Sequence, residues 1–192
     1  ACAVGADRRL VQEYRLADQV ARDHHHPVDL QSKDHAQSRG ADRSAANQIY
    51  SEYRGLREQL TFAIGGIKNH ELYFANLGNG GGSPSDLLAG QVEKDFGSHD
   101  AMITELKAGG MAGRGWAWVA WDWDWSRLDV YIGDAQNTFP VWNATPILAL
   151  DVYEHSYIRD FSTARPKYIE AFVANIDWAD VSSRWERIAK EL

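Results

Sequence analysis

The sequence predicts an α+β protein, helical in its first half and built around a small antiparallel sheet in its second. Three features of the chain point there. From Ala45 to about Leu77, the apolar residues Ile49, Tyr53, Leu56, Leu60, Ile64, Ile67, Phe74 and Leu77 recur at threes and fours, the spacing of one helix face. Further on, "GWAWVAWDW", "RLDVYIGD" and "PILALD" are short runs of alternating or continuous apolar character, which read as three strands close in sequence. After Asp151 the helical spacing returns through "YIEAFVANI" and "WADVSSRWERIAKEL".

Taken in order, the first forty residues are polar and charge-dense. Of these, "RRLVQEYRLADQVAR" predicts a helix, and the remainder, with Pro27, a connection. In the next segment Gly65-Gly66 falls mid-pattern and predicts a kink or the junction of two helices, since each glycine costs about 1 kcal/mol inside a helix. "GNGGGSPSD" then punctuates the chain, and Ser83 or Ser85 beside Pro84 marks the start of a helix through "LLAGQVEKDFG". A further short helix follows in "SHDAMITELKAGG".

A chain of 192 residues suits one domain or two small, tightly packed ones, with a sizeable core. The net charge of -7 and the lack of a Lys/Arg-rich segment argue against a nucleic-acid or anionic-membrane partner. Cys2 is the single cysteine, which excludes an internal disulfide and a thiolate metal site. No apolar run approaches the roughly 18 residues of a spanning helix, so a cytoplasmic protein is expected. The glycine cluster lacks the Lys-Ser/Thr ending of a phosphate loop, and there is no Gly-x-Ser-x-Gly elbow.

The chemistry concentrates in "PILALDVYEHSYIRDF", where Asp151 and His155 stand four positions apart among apolar and aromatic residues. Burying a carboxylate and an imidazole is costly without compensation, and a metal ion compensates both. His70, in "KNHELYFANL", has a similar setting. A set of two histidines and one carboxylate suits iron, manganese or zinc. The other histidines read differently: His24, His25 and His26 in "DHHHPVD" as a solvated turn, and His99 as an exposed first-turn residue. The tryptophans read as core.

From Ala41 onward, "NHELYFANLG", "DFGSHDAM", "GRGWAWVA", "GDAQNTFPVWNATPILALDVYEHSYIRDF" and "ARPKYIEAFVANIDW" follow one another in the order of the iron/manganese superoxide dismutase family, which the chain resembles. The resemblance implies an N-terminal helical hairpin domain, residues 1–78, followed by an α/β domain with a three-stranded antiparallel sheet, residues 79–192. It implies one manganese or iron ion per chain, with His70, Asp151 and His155 matching three of the family's four protein ligands, and superoxide as substrate. Gln136 matches the glutamine that hydrogen-bonds the metal-bound solvent in manganese-type members. Iron-type members carry a glutamine where this chain has Gly66, so manganese is preferred. Glu154 and Tyr157 match residues at a dimer interface, implying a homodimer or a dimer of dimers. Trp116 and Trp118 match pocket-lining tryptophans, and Arg165 an arginine near the substrate channel.

The N-terminus departs from the family. Its first histidine ligand sits in a His-rich helical pattern that does not align here: one alignment puts Leu30 at the position, another Tyr14 at or beside it. His24, His25, His26 and His35 are the candidates in the region, with Pro27 against mid-helix placement of the first three. The alternative reading is a protein that keeps the fold and interface as a structural or interaction module with reduced or lost catalysis. A third is a metal enzyme using an open coordination position for oxygen chemistry.

Overall fold

The computed structural model describes residues 39–78, 81–137 and 142–192. The helix predicted in "RRLVQEYRLADQVAR", the first arm of the hairpin, and His24, His25, His26 and His35 lie outside the described residues. Among the described residues there are six α-helices and three strands: α1 (Glu52–Ala75), α2 (Asp86–Phe96), α3 (His99–Ala112), β1 (Trp116–Asp122), β2 (Arg127–Gly133), β3 (Ala144–Asp151), α4 (Ile158–Phe161), α5 (Arg165–Ala174) and α6 (Trp178–Ala189). A 3-10 turn at Glu154–Ser156 separates β3 from α4. No helix among them is long and apolar enough to cross a membrane.

Helix α1 begins seven residues later than the apolar spacing suggests. The Asn47 side chain accepts the backbone N–H groups of Ile49 and Tyr50, a local bond that competes with helix formation. Ser51 then caps the helix by accepting from Arg54 N at 3.2 Å, a contribution of about 1 kcal/mol. The helix runs unbroken through Gly65-Gly66 to Ala75, so the glycine pair is not a junction between two helices. Ser85 and Ser98 cap α2 and α3 in the same way, and Gly97 ends α2 at φ 82°, a left-handed conformation that glycine adopts without strain.

The sheet is antiparallel with order β2-β1-β3. Every residue of the central strand β1 is buried, so both faces of the sheet are covered. One face carries Trp116, whose ring meets His70 and Tyr73 of α1. The other packs on α3: a Cβ at Gly109 would touch Val130, Ile132 and Ala117. Small residues there bring helix and sheet close, and the buried aliphatic side chains behind them contribute about 1.5–3 kcal/mol each.

The end of α1 is tied to the sheet by one fully buried side chain. Asn76 donates to Ile147 O (3.3 Å) and to Asp180 Oδ2 (2.9 Å), and accepts from Ala149 N (2.9 Å). Its backbone carbonyl accepts from Asp177 N at 2.7 Å. Helix α1, strand β3 and the start of α6 are thereby held in one register, which places His70 opposite the end of β3.

Candidate metal centre

Three elements bring the site together. His70 lies in the later part of α1, Asp151 is the last residue of β3, and His155 sits in the 3-10 turn. The strand register sets Asp151 beside Trp116 of β1. Beyond Asp151 the chain folds back on itself because the carboxylate accepts from Tyr153 N (3.0 Å), while Ser156 Oγ donates to Tyr153 O (2.6 Å). The Tyr168 hydroxyl donates to the carbonyl of Asp151 at 2.6 Å and meets the Tyr73 hydroxyl at 3.1 Å. Burial pushes the Tyr168 phenol well above its ordinary value, so it remains a neutral donor.

The candidate ligand atoms converge. His155 Nε2 lies 3.1 Å and His70 Nε2 3.5 Å from the same oxygen, Asp151 Oδ2, and all three atoms fall within 4.8 Å of one another. His70 Nδ1 faces the carbonyl of Gly66 at 2.7 Å. Because a carbonyl only accepts, Nδ1 carries the proton, and in the neutral ring Nε2 turns a lone pair toward the carboxylate. Two imidazole nitrogens and a carboxylate oxygen gathered in this way form a set that could hold a cation. A proton relieves one pair, whereas a metal ion suits all three. Burial pushes the Asp151 carboxyl up, but when the imidazoles carry protons, hydrogen bonding to His155 and His70 and their positive charge outweigh it and hold the group below the usual carboxylate range.

Aromatic rings line one side of the cluster. Trp116 stands edge-on to His70 (centroids 5.2 Å), Tyr153 stacks on His155 (5.2 Å), and Phe74 lies 6.0 Å from His70. Gln136 is buried beside them and accepts from Trp116 Nε1 through its side-chain oxygen at 3.0 Å. Its amide NH2 is thus the end left to donate. Trp118 is fully buried and donates to Asn69 Oδ1 at 3.2 Å.

The remaining expected residues are disposed as follows. Tyr157 is buried and stacks on Tyr168, and Glu154 is exposed. Arg165 donates to Gly113 O (2.9 Å), Val152 O (3.1 Å), Gly110 O (3.5 Å) and Tyr157 OH (3.3 Å). Its guanidinium therefore pins the start of α5 to the loops around the site. His99 packs edge-on against Trp178 (4.8 Å), and its Nε2 is shielded from solvent, so its ring is less free than a first-turn position suggests.

Residues 84–184 match the family described as "Iron/manganese superoxide dismutases, C-terminal domain". The chain belongs to the iron/manganese superoxide dismutase family. Superoxide dismutase [Fe] of Aquifex pyrophilus is 46% identical over 151 residues, covering 78% of this chain and 71% of that protein. Superoxide dismutase [Mn] 2 of Haloferax volcanii is 32% identical over 179 residues, covering 91% of this chain and 89% of that protein. Superoxide dismutase [Mn] of Corynebacterium diphtheriae is 33% identical over 147 residues, covering 74% and 73%. Relatives of both metal types in this superoxide dismutase family thus resemble the chain, and the names alone do not choose between iron and manganese.

Sequence reasoning missed Asn69, Tyr153 and Tyr168. Asn69 reaches the backbone carbonyl of Gln136 (3.3 Å) as well as Trp118, and Tyr153 stacks on His155. The local signal available was adjacency: Asn69 precedes His70, and Tyr153 lies between Asp151 and His155.

Proposed function

We propose that the chain is a superoxide dismutase whose His70, Asp151 and His155 hold one manganese or iron ion. The observation that carries this is the approach of His70 Nε2 and His155 Nε2 to a single oxygen of Asp151, a donor set that a shared metal ion suits. The chemistry a bound manganese or iron supplies is one-electron exchange between two superoxide ions, giving oxygen and, with two protons, hydrogen peroxide.

The chain's own residues prepare that exchange. His70 is fixed in its Nδ1–H tautomer by the Gly66 carbonyl, which keeps Nε2 available as a ligand. Trp116 orients the Gln136 amide so that its NH2 serves as the donor to solvent in the site, where it tunes proton uptake. Manganese is the preferred ion on the presence of Gln136 and of Gly66, where iron-type members carry a glutamine. Arg165 contributes positive charge near the site while its hydrogen bonds hold the surrounding loops, a local focus for an anion approaching an acidic protein.

A homodimer is part of the proposal, with Glu154 and Tyr157 at its interface. The supporting observation is that the His155 side chain, a proposed ligand, is 56% exposed in a single chain, and the neighbouring Glu154 and Ile158 are exposed as well. The deciding experiment measures metal content per chain by elemental analysis, on protein purified without a His-tag, together with superoxide removal by the same sample. Near-stoichiometric manganese or iron with activity supports the reading. A folded, metal-free and inactive protein overturns it in favour of a scaffold that has lost its chemistry.

A further inference from the structure

The glycine pair in α1 has an unexpected neighbour. A Cβ added at Gly65 would lie 1.9 Å from the backbone oxygen of Gln136 and 2.7 Å from its carbonyl carbon. The same oxygen accepts from Asn69 Nδ2 at 3.3 Å. Gly65 and Asn69 are one helical turn apart and therefore share a face of α1. Between them they form a seat for a single carbonyl group, belonging to the residue whose side chain meets Trp116. By contrast, a Cβ at Gly66 would make only ordinary contact with the Gln136 side chain, at 3.6 Å or more, and one at Gly55 would meet nothing within 4 Å.

We infer that Gly65 is a positioning residue for Gln136: by having no side chain it lets the Gln136 peptide dock on α1, and so sets how far the Gln136 amide reaches into the site. This rests on the reading of Gln136 as the residue that tunes the metal centre. Glycine at this place opposes helix propensity by about 1 kcal/mol, a cost the packing offsets only where the close approach exists. Any side chain at 65 forces the Gln136 carbonyl outward by about 1 Å or more, since carbon and oxygen do not pack at 1.9 Å. The Gln136 side chain must follow its backbone, stretching its bond with Trp116 beyond hydrogen-bonding distance.

The test compares Gly65→Ala with Gly55→Ala as a matched control in the same helix. Crystal structures of the proteins as purified should show the Gln136 carbonyl displaced and the Gln136 Oε1 to Trp116 Nε1 distance lengthened past 3.5 Å in Gly65→Ala alone. Thermal unfolding should move in opposite directions, up for Gly55→Ala and down for Gly65→Ala. In metal-loaded protein, kcat per bound metal should fall about tenfold in Gly65→Ala, whereas a merely structural role would lower metal occupancy and leave the rate per metal unchanged. Should Gly65→Ala fail to fold, Asn69→Ala removes the hydrogen-bonding half of the same seat, together with the acceptor of Trp118, and a smaller shift of the Gln136 carbonyl with a smaller loss of rate per metal is expected. An unmoved Gln136, or an unchanged rate per metal, overturns the inference. Because the displacement is read without metal or activity, a wild-type protein that binds no metal would overturn the proposed function and leave the docking of Gln136 on Gly65 separately decided.

Discussion

Trp116 donates its indole N–H to the side-chain oxygen of Gln136 at 3.0 Å, joining the start of the central strand to the loop that follows β2. The bond determines which end of the amide faces the site, because an amide whose oxygen is engaged presents its NH2 elsewhere. Trp116→Phe retains most of the ring and deletes the donor. We expect metal content to persist, turnover per metal to fall about tenfold, and stability to drop by about 1–3 kcal/mol from the unpaired buried oxygen. Steady-state kinetics normalised to metal, with a urea titration, checks all three.

Asp151→Asn separates the charge of the cluster from its architecture. Asparagine can still accept from Tyr153 N, as Asp151 does at 3.0 Å, so the turn should survive. The negative charge on which His70 and His155 converge is lost, and metal retained after dialysis should fall to about a tenth or less. Elemental analysis beside a circular-dichroism spectrum tests this. Full metal retention in a folded variant would remove Asp151 from the ligand set.

Asn76→Ala should be among the more destabilising single changes outside the site. It leaves the Ile147 carbonyl and the Ala149 N–H, both partners of Asn76, without that hydrogen bond inside the core. The expected loss is about 2–4 kcal/mol, visible as a lowered urea midpoint. Because the same residue aligns α1 with β3, metal affinity should weaken as well.

Asp122 supplies a pH dependence remote from the candidate metal centre. Its carboxyl is held below the ordinary carboxylate value by hydrogen bonds from Tyr131 OH (2.7 Å) and from the backbone of Trp125 and Asp124. A group with a depressed folded-state pKa contributes stability that is present above its unfolded value and is lost as pH falls through the folded one. The Asp122 contribution should therefore be complete at neutral pH and disappear below about pH 4. Asp122→Asn should lower stability at pH 7 and converge on wild type in acid. Equal stability differences at both pH values would contradict this account.

The pattern of the chain carried much of the fold. The three strands, the helix start at Ser83 or Ser85 and the final helices are legible because each depends on nearest neighbours: alternation, a hydroxyl within reach of a local N–H, spacing at threes and fours. The α1 segment shows the boundary of such reasoning. Its apolar spacing begins before Ser51, but the local bonds of Asn47 delay the helix. Its glycine pair looks like a break, yet the helix is continuous because Gly65 is there for a partner 71 positions away.

The site divides along the same line. His70, Asp151 and His155 stand out from the sequence alone as ionisable residues in apolar and aromatic surroundings, and the quoted motifs place the chain in its family. Only the tertiary structure decided that both histidines face one oxygen of Asp151, that Asn69 and Gly65 seat the Gln136 carbonyl, and that Arg165 directs its donors at carbonyl groups. Those facts depend on how α1 lies against β3, which is set by the buried Asn76 and by close packing across the sheet. Local patterning reports which residues are unusual, whereas distances between residues remote in sequence arise from the packing of whole elements.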